Sequence, residues 1–470
     1  MSITNFGGNV AFAPRQHYTP STEAEVLEIL DRHAHGKVRV GGALHSWSPA
    51  VVSDDALVDM RRFDGVEFVN TNEGPSVIAG GGCRIKDLLD KLHALGDFTL
   101  PSIGLITEQS IAGAISTATH GSGRSSLSHY VVEVRMAAFD ESGKACIHVW
   151  NGGDELRAAR CALGCMGIIL SVRIRCVLKY AVAETIVPCA TLEDVLAGEE
   201  EHPMQQFYLV PHLWSYFAQR RKVSGEFSPN RTLGAGLYRA WWYLWIDLGL
   251  HLVIKLLASL LRSPAGVRFF YRHVLSKLIL KNVTVIDRAE RMLVMEHELF
   301  KHLEIEIFVP AEQVRAASAF VQASLEVFDG ASAEPPSKIA AALRDIGLLD
   351  ELLQRRGSFT HHYAITFRRV LPDDALISMT SGARTWYAIS FITYVEPRDD
   401  FYAMASFLSR AMVTLFEARL HWGKYFPLTG VDIEKAYPRL PDFRAICRRV
   451  DPHGVFRNDF VNRVLFSAEV

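Results

Sequence analysis

Residues Gln109 to Gly123 read Q-S-I-A-G-A-I-S-T-A-T-H-G-S-G, a run that few folds can use. Gly113, Gly121 and Gly123 stand among five hydroxyl residues, from Ser110 to Ser122. Only Ile111 and Ile115 are bulky and apolar, so the run is not expected to build a core. Small side chains let backbone N–H groups approach a ligand closely, and successive N–H groups in a turn form a concave site for anions. The run therefore reads as a loop that cradles a phosphate or pyrophosphate. A Gly/Ser/Thr-rich turn between strands is the competing reading.

Two further stretches narrow the choice. Residues 38–48 read V-R-V-G-G-A-L-H-S-W-S: a β-type run, Val38 and Val40, reaches Gly41 and Gly42, then His45 and Ser46. Near the C-terminus stand His421, Trp422, Gly423 and Lys424. In this order the three stretches resemble the FAD-linked oxidases of the vanillyl-alcohol oxidase superfamily, in the aldonolactone and alditol oxidase branch. That branch carries V-R-x-x-G-x-G-H-S, then S-x-x-G-x-x-x-x-x-T-H-G-x-G, then H-W-G-K. The likeness spans nearly the whole chain. One departure is visible: Leu44 stands where the family has its second glycine. The change is expected to act on the backbone beside the flavin and to leave His45 in place.

The resemblance implies an α+β protein, with a PCMH-type FAD-binding domain followed by an antiparallel-sheet substrate (cap) domain. It places FAD against Gly41, Gly42, Ala43, Leu44 and Ser46, with His45 joined through a ring nitrogen to the flavin 8α carbon. An imidazole of ordinary pKa is a neutral nucleophile near neutral pH, as that bond requires. Ser110 is implied beside flavin N5. Gly113, Ala114, Thr117, His120, Gly121, Ser122 and Gly123 are implied as pyrophosphate and ribityl contacts. Gly167, Ile168 and Ile169 would lie along the adenine side. Lys424 would place its charge at the N1–C2=O edge, where negative charge forms on reduction.

The substrate side departs further from the family. Glu306 lies in a strand resembling an E-Y-x-x-P pattern, with Ile307 in place of the tyrosine. Arg368 matches the arginine of an E-x-R pair, but Thr366 replaces the glutamate. The strand from Ala388 to Thr393 has no histidine where the family often offers one. Two partners for a polyol are therefore missing, which favours a less polar substrate. The expected reaction is hydride transfer from a CH–OH carbon to flavin N5, with Ser110, Glu306, Arg368 and Lys424 as catalytic residues. Three readings stay open: an aldonolactone or alditol oxidase, an oxidoreductase for a lipid, terpenoid or sterol-like alcohol, and a flavin-retaining protein without turnover. The flavin would be reoxidised by oxygen or another acceptor.

The chain is divided in order as 1–178 (FAD domain), 179–430 (cap) and 431–470 (a segment returning to the FAD domain). Its 470 residues, 49% hydrophobic and 22% charged, suffice for a large core. A net charge of -2 gives no basic surface for nucleic acid. Seven scattered cysteines suggest free thiols, and Cys161 and Cys165 lack a second pair to complete a zinc site. No metal is expected, and the N-terminus shows no basic run before an apolar core, so a cytoplasmic protein is the expectation.

Residues 238–282 stand apart. Asp247, His251, Lys255 and Ser259 recur every four residues along a helix whose other residues include Trp242, Trp245, Leu248, Leu252 and Leu256. One reading is a cap helix buried on most sides. The other is a basic helix lying on a membrane surface or lining a greasy entrance, giving peripheral membrane contact.

Overall fold

The computed structural model describes residues 2–225, 232–295, 300–395 and 398–467. The N-terminal part begins with the helix Glu23–Arg32, which buries Val26, Ile29 and Leu30. Thr22 Oγ accepts from Glu25 N at 3.2 Å, as a cap should. The Glu25 carboxylate accepts from Ser21 N, so the reciprocal bond forms one residue early. This helix carries the chain from strand Gln16–Tyr18 to strand Val38–Gly41, and both pair in parallel with Ala56–Asp59. Parallel neighbours need such a crossover. A second sheet is antiparallel, in the order Ala145–Trp150, Val131–Phe139, Ile168–Arg175, Gly74–Gly80, Val66–Thr71.

The glycine-rich run is not all loop. Ile111–Ser116 is a helix capped by Ser110, whose Oγ accepts from Gly113 N at 3.3 Å, and Ile111, Ala114 and Ile115 are buried. Apolar residues at i, i+3 and i+4 face the core and leave the small polar residues outward. The run thus builds core on one side, contrary to expectation.

The C-terminal sheet has eight antiparallel strands. Their order is Thr284–Arg288, Ala181–Cys189, Ser215–Ser224, Gln206–Val210, Ile365–Val370, Trp386–Tyr394, His302–Pro310, Arg419–Leu420. Helices Val314–Phe328 and Asp399–Phe416 pack against it, with Phe320, Phe328 and Phe407 buried between them. Strand Ser215–Ser224 is not foreseen in the sequence, because Gln219-Arg220-Arg221-Lys222 hides its alternation. Arg221 can lie inside because Glu184 stands opposite it and accepts its Nε at 2.5 Å. Helix Asp399–Phe416 ends where Glu417 turns left-handed (φ 52°) and releases the strand Arg419–Leu420.

A helical lid covers the open face of this sheet. Its first stretch, 232–260, alternates α with two π-helical runs, Trp242–Leu250 and Leu256–Leu260. The second, Pro264–Leu278, contains the π-helical run Tyr271–Leu275. The tail comes back to the N-terminal sheets: Val38 N donates to Val455 O, and Asn458 Nδ2 donates to the carbonyls of Pro49 and Val52. Arg39, buried at 5% exposure, ties these pieces together by donating to the carbonyls of Ala50, Leu163 and Phe456.

Candidate active site

One cavity of about 970 Å³ opens between the N-terminal sheets, the open face of the eight-stranded sheet and the lid. Its N-terminal half is a slot walled by backbone. Gly41 to Ser46, Ser110, Gly113, Thr117 and His120 line it, with Gly167 and Ile169 at one side. Gly81 and Gly82 line it too, unforeseen, although the run Gly80-Gly81-Gly82 after a strand is a signal of the same kind. A Cβ on Gly81 would collide with Ile169 O, one on Gly82 with Met60 O, and one on Gly42 with Ser110 Oγ. Small residues on both walls leave a slot that suits a flat cofactor with a pyrophosphate.

Not every expected contact lies there. Ala114 and Ile168 are buried beside the slot in the core, outside its lining. Gly121, Ser122 and Gly123 also stand off the lining and join the two halves of the chain. Gly123 N donates to Arg369 O at 2.6 Å, Ser122 Oγ donates to Gln205 O, and a Cβ on Gly121 would meet Ile103 O at 2.7 Å. Gly123 has φ +72° with Pro203 O against its Cα, so glycine is required for the turn itself.

Leu44 adopts φ 58°, the left-handed conformation that the family's glycine would take without strain. The next residue, His45, stacks on Phe6 with ring centroids 4.9 Å apart and planes at 19°. Burial lowers the His45 imidazole to about 4, so it is neutral at neutral pH.

Lys424 is not a lone cation. Its Nζ donates to Glu304 and lies 4.2 Å from the centre of the Trp47 ring. The pair is largely withdrawn from water, with 12% and 7% of the side chains exposed. Burial would raise the Glu304 carboxyl, but Lys424 beside it draws it down to about 2.

Glu306 is the second buried carboxylate. Ser390 Oγ donates to it at 2.7 Å, and Arg368 Nη1 lies 3.5 Å away, with Arg368 Nε held on Gln206 Oε1 at 3.1 Å. His120 Nε2 faces its other oxygen at 3.4 Å. Burial would raise the Glu306 carboxyl, but His120, His421 and Lys424 hold it well below its ordinary range. Glu306 thus supplies Arg368 with the carboxylate that Thr366 lacks, from a strand two positions along the sheet. His120, Glu306 and His421 stand close enough together to hold a metal ion. However, His421 Nδ1 accepts from Gly423 N at 3.0 Å, so its proton sits on Nε2 and that nitrogen offers no lone pair. The trio is a buried cluster in which His120 faces the Glu306 carboxylate at 3.4 Å and the His421 ring lies 5.9 Å from that of His120.

Towards the lid the cavity wall is mainly apolar, with Gln219, Tyr238, Asp247 and His251 among its polar groups. Side chains alternate across a strand, so Ile392 follows Ser390, and Val210 follows Tyr208, on the cavity face. The lid closes this end with Trp242, Leu250, Ile254, Tyr271 and Leu275. His251, one of the expected polar stripe, turns inward, where its Nδ1 lies 3.0 Å from Tyr363 Oη and its ring stacks on Phe300 at 5.0 Å. The outward face of the lid is the apolar one. Nine of the sixteen exposed large apolar residues described fall between Leu237 and Phe269. Burial on most sides is therefore ruled out for this helix: in the most apolar window of Gly234–Leu260 only 6% is buried. By length and composition alone, this 27-residue helix could cross a membrane.

Residues 172–464 match the D-arabinono-1,4-lactone oxidase family, and residues 14–146 match an FAD binding domain. A long-chain alcohol oxidase from an uncultured marine euryarchaeote is 45% identical over 98% of this chain and 96% of its own. The L-gulonolactone oxidase of Mus musculus is 25% identical over 99% of this chain and 98% of its own. Among solved structures, cholesterol oxidase from B. sterolicum superposes with a TM-score of 0.71 at 13% identity, covering 99% of this chain and 96% of that one. That likeness is one of fold.

Proposed function

Because this chain belongs to the D-arabinono-1,4-lactone oxidase family and is an FAD-dependent oxidoreductase acting on CH–OH groups, we propose that its substrate is a long-chain alcohol. The observation that carries this reading is the apolar end of the cavity, where Ile392, Val210 and Phe217 face Leu250, Ile254 and Leu275 of the lid. The name of the 45% identical relative points the same way.

When bound, FAD supplies the hydride acceptor. Arg368, fixed by Gln206, steadies the substrate oxygen as its charge develops. Glu306, kept ionised, accepts the hydroxyl proton, with His120 facing its other oxygen. Ser110 and Lys424 line the slot, where Ser110 would stand beside the flavin N5 and Lys424 would set the charge beside its ring. His45 carries FAD covalently, as a neutral imidazole. The final electron acceptor is dioxygen, as the oxidase names of the relatives suggest.

A chain buried in this cavity gains about 0.8 kcal/mol per methylene, or roughly fourfold in kcat/KM. Across a series of primary alcohols, kcat/KM is therefore expected to climb about fourfold per added methylene until the apolar end is full. A series that stays flat from butanol to dodecanol contradicts the reading.

The lid's outer face is proposed to rest on an anionic lipid surface and to admit substrate from it. Leu244, Trp245, Leu252, Leu256 and Leu260 are exposed there, and residues 232–283 carry seven Lys or Arg against one acid, Asp247. Exposed apolar groups gain by entering the interface, and the cations gain on anionic headgroups. The protein is expected to sediment with vesicles containing phosphatidylglycerol, and the Trp245→Asp/Leu252→Asp variant is expected to stay in the supernatant. Equal recovery of both proteins in the supernatant contradicts lipid contact.

A further inference from the structure

We infer that Phe6 is a positioning residue for the covalent attachment of FAD. The inference rests on the reading of His45 as the attached residue. The N-terminal residues 5–10 fold over the loop that carries His45. Phe6 N donates to Leu44 O at 2.9 Å, which fixes the left-handed residue immediately before the histidine. Asn5 Nδ2 donates to Ser46 O at 2.8 Å, immediately after it, and Asn9 Nδ2 donates to Trp47 O at 2.9 Å. Both peptide neighbours of His45 are thus tied to this segment.

The side chain completes the hold. The Phe6 ring lies against one face of the imidazole, nearly parallel to it. Its own orientation is set by His302 at 5.5 Å and Trp47 at 6.1 Å, both edge-on. An imidazole can rotate about χ2 with a broad, shallow preference. A ring stacked on one face removes that freedom and presents a nitrogen edge in one direction. Gly7 is pressed against Trp47, where a Cβ would lie 2.6 Å from the indole, so the segment packs directly on the residue that orients Phe6.

Attachment replaces one C8α–H bond by a C8α–N bond. The imidazole gives up its N–H proton and the carbon a second proton. The two electrons released pass to dioxygen, which takes up both protons to become hydrogen peroxide. The step needs the reacting nitrogen held in line with the carbon, and a displacement of about 1 Å can cost on the order of 100-fold in rate.

The test measures the covalent share of bound FAD. Purified wild type, Phe6→Ala, Phe6→Leu, Phe6→Tyr and His45→Ala proteins are precipitated in acid, and flavin is counted in pellet and supernatant against the total before precipitation. The wild type and Phe6→Tyr are expected to keep their flavin in the pellet. Phe6→Ala and Phe6→Leu are expected to bind FAD yet release most of it, and to attach fresh FAD about 100-fold more slowly. His45→Ala sets the zero of attachment. If wild type retains its flavin and Phe6→Ala retains it equally, the role of Phe6 fails while the covalent link stands. Release by wild type itself removes the link and the role together. Loss of all FAD from both Phe6→Ala and Phe6→Leu would make Phe6 a structural residue and overturn the assignment.

Discussion

Replacing Lys424 by methionine is expected to leave FAD bound and to slow its anaerobic reduction by about 100- to 1000-fold, the loss seen when a preorganised donor is removed from a developing negative charge. The pairing with Glu304 sharpens this expectation. In the intact protein the two charges cancel, and Lys424 still faces the cavity beside His45 and Trp47. Without the lysine, the Glu304 carboxylate is left buried without its cation. The local charge then falls from neutral to negative where hydride transfer must add more negative charge. Glu304→Gln in the Lys424→Met background is expected to restore part of the rate, because it removes the uncompensated carboxylate. Equal rates for wild type and Lys424→Met would place Lys424 outside the flavin's reach.

The same pair has a consequence for stability. Glu304 is held at about 2 in the folded chain against an ordinary 4.5, so it binds a proton less readily folded than unfolded. Its contribution is complete above its unfolded value and fades as pH falls through 4.5 towards 2.

Much of this site could be read in the sequence, and the reasons for the rest are physical. Local signals worked where one residue type answers one constraint. The glycines at 41, 42 and 113 line the slot, and at 42 and 113 a Cβ would press on Ser110 Oγ. Helix Glu23–Arg32 announced itself through Thr22, and strand Trp386–Tyr394 through its aromatic and β-branched run. Reading failed where distant groups decide. Gly121 and Gly123 look like cofactor glycines, yet they serve contacts with Ile103 and Pro203, which only the fold brings near. Strand Ser215–Ser224 is masked by charges that Glu184 neutralises from another strand. Likewise, nothing local indicates that Glu306 stands in for the glutamate missing at Thr366, since the two strands are separated by Trp386–Tyr394. The lid misled for a third reason: of the polar repeat, Asp247 and His251 line the cavity while Lys255 is exposed, and Leu244, Trp245, Leu252 and Leu256 face out, a split that no single helical period foretells.

The largest expected difference between substrates follows from that apolar end. A sugar alcohol entering the cavity buries several hydroxyls beside Ile392, Val210 and Ile254, where these side chains offer no hydrogen-bond partner. Each hydroxyl left unpaired costs about 1–3 kcal/mol, so two of them cost about 1000-fold in kcat/KM. A long alkyl chain carries no such penalty and gains from burial at about 25 cal/mol per Å². The same polar groups, Arg368 and Glu306, would receive the single hydroxyl in either case.

The most direct test is anaerobic stopped-flow reduction of the bound flavin by 1-dodecanol, xylitol and a γ-lactone, followed by loss of its visible absorbance. The account predicts bleaching by dodecanol with a kred/Kd about 1000-fold or more above that for xylitol, with the lactone equally slow. Faster bleaching by xylitol or by the lactone would contradict it and return the enzyme to sugar oxidation.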